Sequence, residues 1–293
     1  MIADLYISNE SFAWNGVDSD KEIAKKVLLF CNLVTRIRQF PAHNTVYVNY
    51  SDNLVSVKLN EAGVTLSQIV SDRDCGRLLL GRDLYDRFLS SFNGATQTSF
   101  SNDEMMELLE VADDNLYHGL LVLNIAPGIP KSNQVLSTIP EWLALRRFLL
   151  ERYSKTGIDY LTESRMCFPI LEIHPDNAST LDSLIKTHVC GVTKCLIALN
   201  DFFFDDLKSF VGTHPIFMSH FGSSRGLDGS SFEGTGDDKF YKVFPDKARR
   251  YCEPHLKMNK SDCGKEGETC RVYFEFPLIT AEKIYVGYIC EHL

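Results

Sequence analysis

Hydrophobic and polar residues follow two periods along this chain, one typical of helices and the other of strands. Residues 18–38 have helical spacing, with Asp18 or Ser19 as the N-cap, acidic residues in the first turn and arginines in the last. Residues 45–59 alternate around the turn residues 51–53, which predicts a β-hairpin.

The same two periods predict further elements in both halves of the chain. Helices are expected at 77–90, 102–113, 140–153, 178–187 and 196–207, and strands at 119–125 and 168–173. Helices and strands together indicate an α+β fold. We expect an N-terminal mixed helix/hairpin domain and a C-terminal domain ending in a small antiparallel β-meander packed on helices.

Breaker residues indicate where the chain divides. Two prolines within residues 126–130 predict a boundary, which gives a mixed α/β domain at 1–130 that senses a signal or binds a partner. The C-terminal α+β domain then covers 131–293. A Gly/Ser-rich stretch at 222–238 is predicted to be a mobile loop, and the terminal module follows it at 239–293.

Three short strands are predicted within the terminal module, at 254–258, 271–276 and 283–290. If they pair as an antiparallel meander, strict alternation separates an apolar face from a polar face. The polar face then collects five side chains: His255, Lys257, Arg271, Tyr273 and Tyr285.

His292 reaches that face only if the last strand is irregular. Strict alternation would turn it inward, but a bulge at Gly287 adds one residue and reverses the parity beyond it. Tyr288, Cys290 and His292 then join the polar face, and Ile289 returns to the core. We therefore predict a bulge at Gly287.

Charge is distributed unevenly along the chain. The net charge is −9 and the pI about 5.4, which argues against a protein that coats nucleic acid through bulk charge. Residues 239–260 contain seven Lys/Arg and two acidic residues, so this window carries +5 and the rest of the chain −14. A local basic patch on an acidic body suits a small phosphate-binding site, although a solvated charged surface has the same composition.

The polar face has the residue types that cleave RNA without a metal, through attack of the 2′-hydroxyl on the adjacent phosphodiester. His255 and His292 are the predicted acid and base, because imidazole titrates near neutrality. Lys257 and Arg271 would stabilise the charge on phosphate, with Tyr273 as an auxiliary group.

Substrate binding is predicted at four neighbouring side chains. Arg249 and Arg250 would contact phosphates, and Tyr285 and Tyr288 would stack on unpaired bases.

The terminal module resembles the RelE-like ribonuclease toxins, within the wider barnase-, colicin- and RelE-like group. The resemblance covers 239–293 and is based on strand order, Arg-x-Tyr-Phe at 271–274, an aromatic-rich last strand and His292. It implies helices packed on a small antiparallel sheet and metal-free cleavage of mRNA or tRNA. A toxin-like tail behind a long front half also looks like bacterial antiphage defence proteins, which implies RNA as substrate and a protein partner or inhibitor.

A structural zinc site is the chemical alternative. Cys252, His255, Cys263 and Cys270 lie close in sequence, and zinc is bound by thiolates and imidazoles. A zinc ion on His255 would remove that imidazole from the nuclease. Otherwise no cofactor is expected.

The second alternative is a non-catalytic subunit of a defence complex that binds nucleic acid or protein. The acidic front half and the three phenylalanines at 202–204 fit this function equally well.

The cellular location is predicted from three features of the sequence. The N-terminus lacks a signal-peptide pattern, and no apolar run approaches the roughly 18–20 residues that span a bilayer. Most of the nine cysteines lie within apolar strings, as reduced cysteines of cytoplasmic proteins do. We expect a cytoplasmic protein without membrane contact; its oligomeric state is left open.

Overall fold

The computed structural model describes residues 2–50, 55–109, 112–113, 116–124, 132–231, 237–258 and 270–291. Helices and both parallel and antiparallel strand pairs are present, so the α+β fold class is confirmed. The chain divides into two compact units, Met1–Leu145 and Arg146–Leu293, later than the boundary expected at residue 130. None of the described helices is long and apolar enough to cross a membrane.

The first unit contains strands and helices in alternation. They are β1 Ile2–Ile7, α1 Asp20–Arg38, β2 Asn44–Val48, α2 Leu66–Ser71, α3 Arg73–Leu80, α4 Arg82–Asn93, β3 Thr96–Gln97, α5 Asn102–Leu108, β4 Ala112–Asp113, β5 Leu116–Leu121 and β6 Val135–Leu136. Helix α6, Ile139–Tyr153, begins in the first unit and ends in the second.

The sheet of the first unit is mainly parallel. Its order is β3-β2-β1-β5, and the free edge of β5 pairs with β4 and β6; only β4 runs antiparallel. The hairpin predicted at 45–59 is wrong, because β2 lies between β1 and β3 and is parallel to both. Residues 51–54 of that prediction lie outside the described residues.

The predicted helix at 18–38 is confirmed as α1, and its cap explains where it begins. The Ser19 hydroxyl accepts a hydrogen bond from the backbone N–H of Glu22, and the Glu22 side chain bonds back to Ser19, which completes a capping box. Its apolar stripe, which includes Phe30, packs on Phe12 with ring centroids 5.1 Å apart. Cap and stripe are both readable in the sequence, so this helix was predictable.

The second unit contains the remaining elements. They are α7 Gly157–Cys167, β7 Leu171–Ile173, α8 Asn177–Leu184, α9 Val189–Ser209, α10 His214–Ser223, β8 Leu227–Ser230, β9 Tyr241–Val243, β10 Arg249–Tyr251, β11 His255–Met258, β12 Arg271–Phe274 and β13 Ile284–Cys290.

The predicted meander is confirmed as β11-β12-β13, and it is the centre of a larger sheet. The order is β7-β13-β12-β11-β8, with β7 parallel to β13 and the other pairs antiparallel. The core packs between one face of this sheet and the helices, and includes Phe203, Phe221, Val272 and Phe274. The mobile loop predicted at 222–238 is wrong in part, because it contains the edge strand β8; residues 232–236 lie outside the described residues.

Helix α10 lies against β8 with no room for side chains between the two backbones. A Cβ on Gly229 would lie 2.0 Å from the carbonyl oxygen of Met218, and one on Gly222 would lie 2.4 Å from the backbone nitrogen of Gly229. Both contacts involve backbone, so the helix itself would have to move. These two glycines therefore set the position of α10.

We expect Gly229→Ala to destabilise the second unit by about 1–3 kcal/mol, since an extra methyl group must push α10 off β8. Urea unfolding followed by circular dichroism measures the change. Asp228→Ala is the matched control, because the Asp228 side chain is exposed on the same strand and its loss should change stability little. Equal stability of the Gly229 variant and the wild type would contradict the close approach.

Candidate functional site

The strand register places the predicted polar residues on one face of the meander. His255 is directly opposite Tyr273, and Lys257 is opposite Arg271. Tyr273 in turn pairs with Tyr288 on β13. The alternation read from the sequence therefore assigns these side chains to the correct face.

The bulge predicted at Gly287 is present. Tyr273 pairs with Tyr288 while the next residue, Phe274, pairs with Val286, so Gly287 is the extra residue on β13. Ile289 is fully buried in the core beyond it, as expected. His292, which the bulge was to bring to the polar face, lies outside the described residues.

This polar face is not open, because the hairpin of β9 and β10 covers it. The rings of Phe240 and Tyr273 are 5.8 Å apart, and the Tyr288 hydroxyl donates to the carbonyl of Tyr241 at 2.8 Å. His255 and Tyr273 are 0% exposed. A substrate cannot reach either side chain in this arrangement.

The buried residues hold one another in place. The Nδ1 of His255 is 2.9 Å from the carbonyl oxygen of Glu253, and its ring centroid lies 4.7 Å from that of Tyr273. Arg271 is 9% exposed and donates to the Tyr273 hydroxyl at 3.1 Å. Lys257 is half-buried. The geometry is that of a buried polar layer between the sheet and its covering hairpin.

Two predicted substrate residues, Arg250 and Tyr285, are engaged with each other. The Arg250 guanidinium lies 3.6 Å from the centroid of the Tyr285 ring and binds both carboxylate oxygens of Asp246, at 2.8 and 2.6 Å. Its Nε is also 3.2 Å from Glu275. This arginine is therefore fixed from several sides, and its bond to Asp246 lowers the pKa of that carboxyl to about 2.

The other two predicted substrate residues, Arg249 and Tyr288, differ in exposure. Arg249 lies 4.0 Å over the Tyr241 ring and pairs with Asp238 at 2.8 Å, with a side chain that is 57% exposed. Tyr288 is half-buried, with the Lys242 ammonium 4.9 Å from its ring centroid. Arg249 and Tyr241 thus form an exposed cation–ring pair on the hairpin, whereas Tyr288 lies beneath it on β13.

The three proposed zinc ligands within the described residues, Cys252, His255 and Cys270, are not brought together. Cys270 points into the helix-side core with Val272, whereas His255 lies on the opposite face of the sheet. Cys252 is buried, and burial raises the pKa of its thiol to about 12. Within the described residues no three His, Cys, Asp or Glu side chains form a group that could hold a metal; Cys263 lies outside them.

A pocket of about 290 Å³ opens beside the buried layer. Its lining consists of His214, Ser231, Tyr251, Pro254, Glu275 and Phe276. This volume is near the lower end of typical ligand pockets. An imidazole, a carboxyl group and a phenol thus meet at one concave surface of the second unit.

Glu275 has the electrostatics expected of a proton-transfer group. Burial raises its pKa above that of an ordinary glutamate, while the neighbouring Arg250 opposes the rise. The side chain is 36% exposed, so it still reaches the pocket. A carboxylate with a raised pKa accepts a proton more readily, which suits a general base.

The remaining polar groups are held by local contacts. His214 begins α10 and stacks on Phe276 with ring centroids 4.0 Å apart. Tyr251, at the end of β10, donates to Glu253 at 2.5 Å. Burial and this carboxylate raise the pKa of Tyr251 to about 12, so the phenol stays protonated. The two side chains therefore have defined orientations at the pocket.

Sequence reasoning missed this pocket, although one signal for it was available. Glu275 continues the alternation of Arg271 and Tyr273, which assigns it to the polar face. Its ion-pair partner is Arg250. Nothing local in the sequence connects His214 with a glutamate on a distant strand.

Comparison with known proteins adds no relative. No protein-family model, no curated protein and no solved structure matches this chain. The functional argument therefore depends on the geometry of the second unit.

Proposed function

We propose that the second unit is a metal-independent ribonuclease-like effector that cleaves RNA by attack of the 2′-hydroxyl. The observation that carries the proposal is the pocket in which His214, Tyr251 and Glu275 meet, with the pKa of Glu275 raised by burial. His214 and Glu275 replace His255 and His292 as the proposed acid and base, and the buried layer that contains His255 lies beside the pocket.

The proposed reaction uses two proton transfers. Glu275 takes the proton from the 2′-hydroxyl, and the 2′ oxygen forms a bond to phosphorus. The bond from phosphorus to the 5′ oxygen breaks, and protonated His214 gives its proton to that oxygen. The products are a 2′,3′-cyclic phosphate and a 5′-hydroxyl, without water, metal or a covalent enzyme intermediate.

Arg250 is suited to respond to the first proton transfer. Its Nε is 3.2 Å from Glu275 while that group is ionised. When Glu275 becomes neutral, the negative charge has moved to the phosphoryl oxygens, and the guanidinium can donate to them from its present position. Asp246 and Tyr285 keep the guanidinium in position throughout.

The test is an RNA cleavage assay with total RNA and with a labelled single-stranded oligonucleotide, in the presence of EDTA. We expect cleavage that EDTA does not abolish and products that end in a 2′,3′-cyclic phosphate. Cleavage that depends on added divalent metal, or products with 3′-hydroxyl ends, would contradict the mechanism. The Glu275→Gln variant, prepared in the same way, should show almost no cleavage of the RNA; this result excludes a contaminating ribonuclease.

A biological setting in phage defence or toxin–antitoxin systems is part of the proposal. It rests on the resemblance of residues 239–293 to RelE-like toxins and on the long front half. In that setting a protein partner or inhibitor would control the pocket, and the first unit would bind or sense the trigger.

The second candidate is a non-catalytic RNA-binding subunit. The stacked cation and ring of Arg249 and Tyr241 on the outer surface of the hairpin favour it. Binding of RNA that is lost in Arg249→Ala, with no cleavage in any preparation, would support this function over the nuclease.

A further inference from the structure

A larger pocket, of about 580 Å³, lies in the second unit on the outer side of α9 and α10. Its apolar wall includes the rings of Phe202 and Phe210, and His220 adds an exposed imidazole ring 6.3 Å from Phe210. Phe202 is 45% exposed. Aromatic side chains at this exposure present π-faces for a planar ligand.

The polar side of this pocket is an ion pair with little net charge. Arg225 donates to Asp206 at 2.6 Å and lies 4.8 Å from the centroid of the Phe202 ring. The Asp206 side chain keeps 36% exposure, so it can still accept hydrogen bonds. Ser209 adds a hydroxyl to the lining. A neutral, flat ligand with hydrogen-bond donors on its edge fits these walls better than an anion.

The two pockets are neighbours along α10. Phe217 lines the larger pocket, and its ring centroid lies 5.9 Å from that of Phe276, which lines the smaller one. His214 and His220 are six residues apart on this helix, which is about 9 Å along its axis. Two nucleotides of an extended strand, either adjacent or separated by one nucleotide, can therefore occupy the two pockets.

We propose that the larger pocket binds one unpaired nucleobase of the RNA whose scissile phosphate lies at Glu275. This inference rests on the proposed function and names its substrate class, single-stranded RNA. The base stacks on Phe210 and His220, and Asp206 accepts a hydrogen bond from an exocyclic amino group. Uracil lacks an amino group and should bind least well.

The experiment measures binding of a fluorescent single-stranded RNA to the intact chain carrying Glu275→Gln, by fluorescence anisotropy. Adding Phe210→Leu keeps an apolar side chain beside Phe217 but removes the stacking ring. We expect binding to weaken by roughly 10-fold, the effect of losing one stacked base. Val211→Ala is the matched control, because Val211 is 97% exposed next to Phe210 and lines neither pocket.

A second RNA separates stacking from damage to the fold. This RNA is made as a set in which each member lacks the base at one position. Comparing the members identifies the nucleotide that occupies the larger pocket. We expect one abasic position at which Phe210→Leu does not weaken RNA binding further, because the stacked base is already absent there. An equal loss of affinity at every position, or no loss with any RNA, would overturn the inference.

Titration of the intact chain with adenosine, cytidine and uridine separates this inference from the proposed function. One result would be that the wild type binds adenosine and cytidine more tightly than Phe210→Leu does but cleaves no RNA. That result would support the base pocket and contradict the nuclease. If the wild type and Phe210→Leu cleave RNA at the same rate, the nuclease is supported and the base pocket is contradicted. Absence of nucleoside binding together with absence of RNA binding would reject both.

Discussion

Replacing Glu275 with glutamine is expected to slow RNA cleavage by roughly 10²–10⁴-fold, the usual contribution of a general acid or base. Glutamine has nearly the same shape but cannot take the 2′ proton. It still accepts a hydrogen bond from Arg250, which lies 3.2 Å away, so the pocket should keep its geometry. RNA binding should therefore change much less than the rate.

The pH dependence gives an independent test of the same residue. Glu275 acts as a base only when ionised, and burial raises its pKa. The rising limb of the pH–rate profile should therefore lie at higher pH than an ordinary glutamate would give, and it should disappear in Glu275→Gln.

Two other variants provide the controls for this prediction. Glu172→Gln changes an exposed glutamate of the same unit, paired with Lys283 at 3.0 Å, and should leave the rate unchanged. His255→Asn perturbs the buried layer, so it should lower stability rather than shift the pH profile. If His255→Asn abolishes cleavage in a folded protein while Glu275→Gln does not, the buried face is the reacting site and the pocket is not.

Removing the carboxyl group of Glu163 is expected to destabilise the second unit by about 3–5 kcal/mol, the usual effect of leaving one partner of a buried ion pair behind. Glu163 forms a short ion pair with Arg146, and the two side chains are 7% and 0% exposed. Glu163→Ala leaves a guanidinium buried without that carboxylate. Urea unfolding of the full chain, followed by circular dichroism, measures the change.

Two comparisons test the origin of this effect. Glu172→Ala breaks the exposed pair with Lys283 and should change stability by less than about 1 kcal/mol. The double variant Arg146→Met/Glu163→Leu removes both charges and should recover much of the loss, since apolar side chains can replace a buried pair. A double variant no more stable than Glu163→Ala would mean that lost packing, and not the loss of the carboxylate beside Arg146, causes the effect.

The elements that could be predicted from the sequence are those with local signals. Helix α1 has a cap and an apolar stripe within its own residues, and the meander has strict alternation with a glycine at the irregular position. Strand β2 misled the interpretation because its burial also alternates, as in an exposed hairpin, although it lies inside a parallel sheet. Pairing partners of a short alternating strand are set by distant residues.

The candidate site was predictable only as far as the sheet face. Alternation assigns Arg271, Tyr273 and Glu275 to one side, but it does not say which part of that side is covered. The hairpin of β9 and β10 buries Tyr273 and leaves Glu275 at the edge, beside a histidine from α10. Helix α10 was not predicted, and Gly222 in its last turn was assigned to the loop, whereas it permits close packing on β8.

The pocket is assembled from parts that are distant along the chain, and this has a consequence for protein synthesis. His214, Ser231, Tyr251 and Glu275 come from four successive segments, and β12 becomes an interior strand only when β13 pairs with it. Domains fold as units as they leave the ribosome, and distant contacts form late. A nascent chain of the proposed ribonuclease should therefore stay inert towards the messenger that encodes it until β13 has been translated.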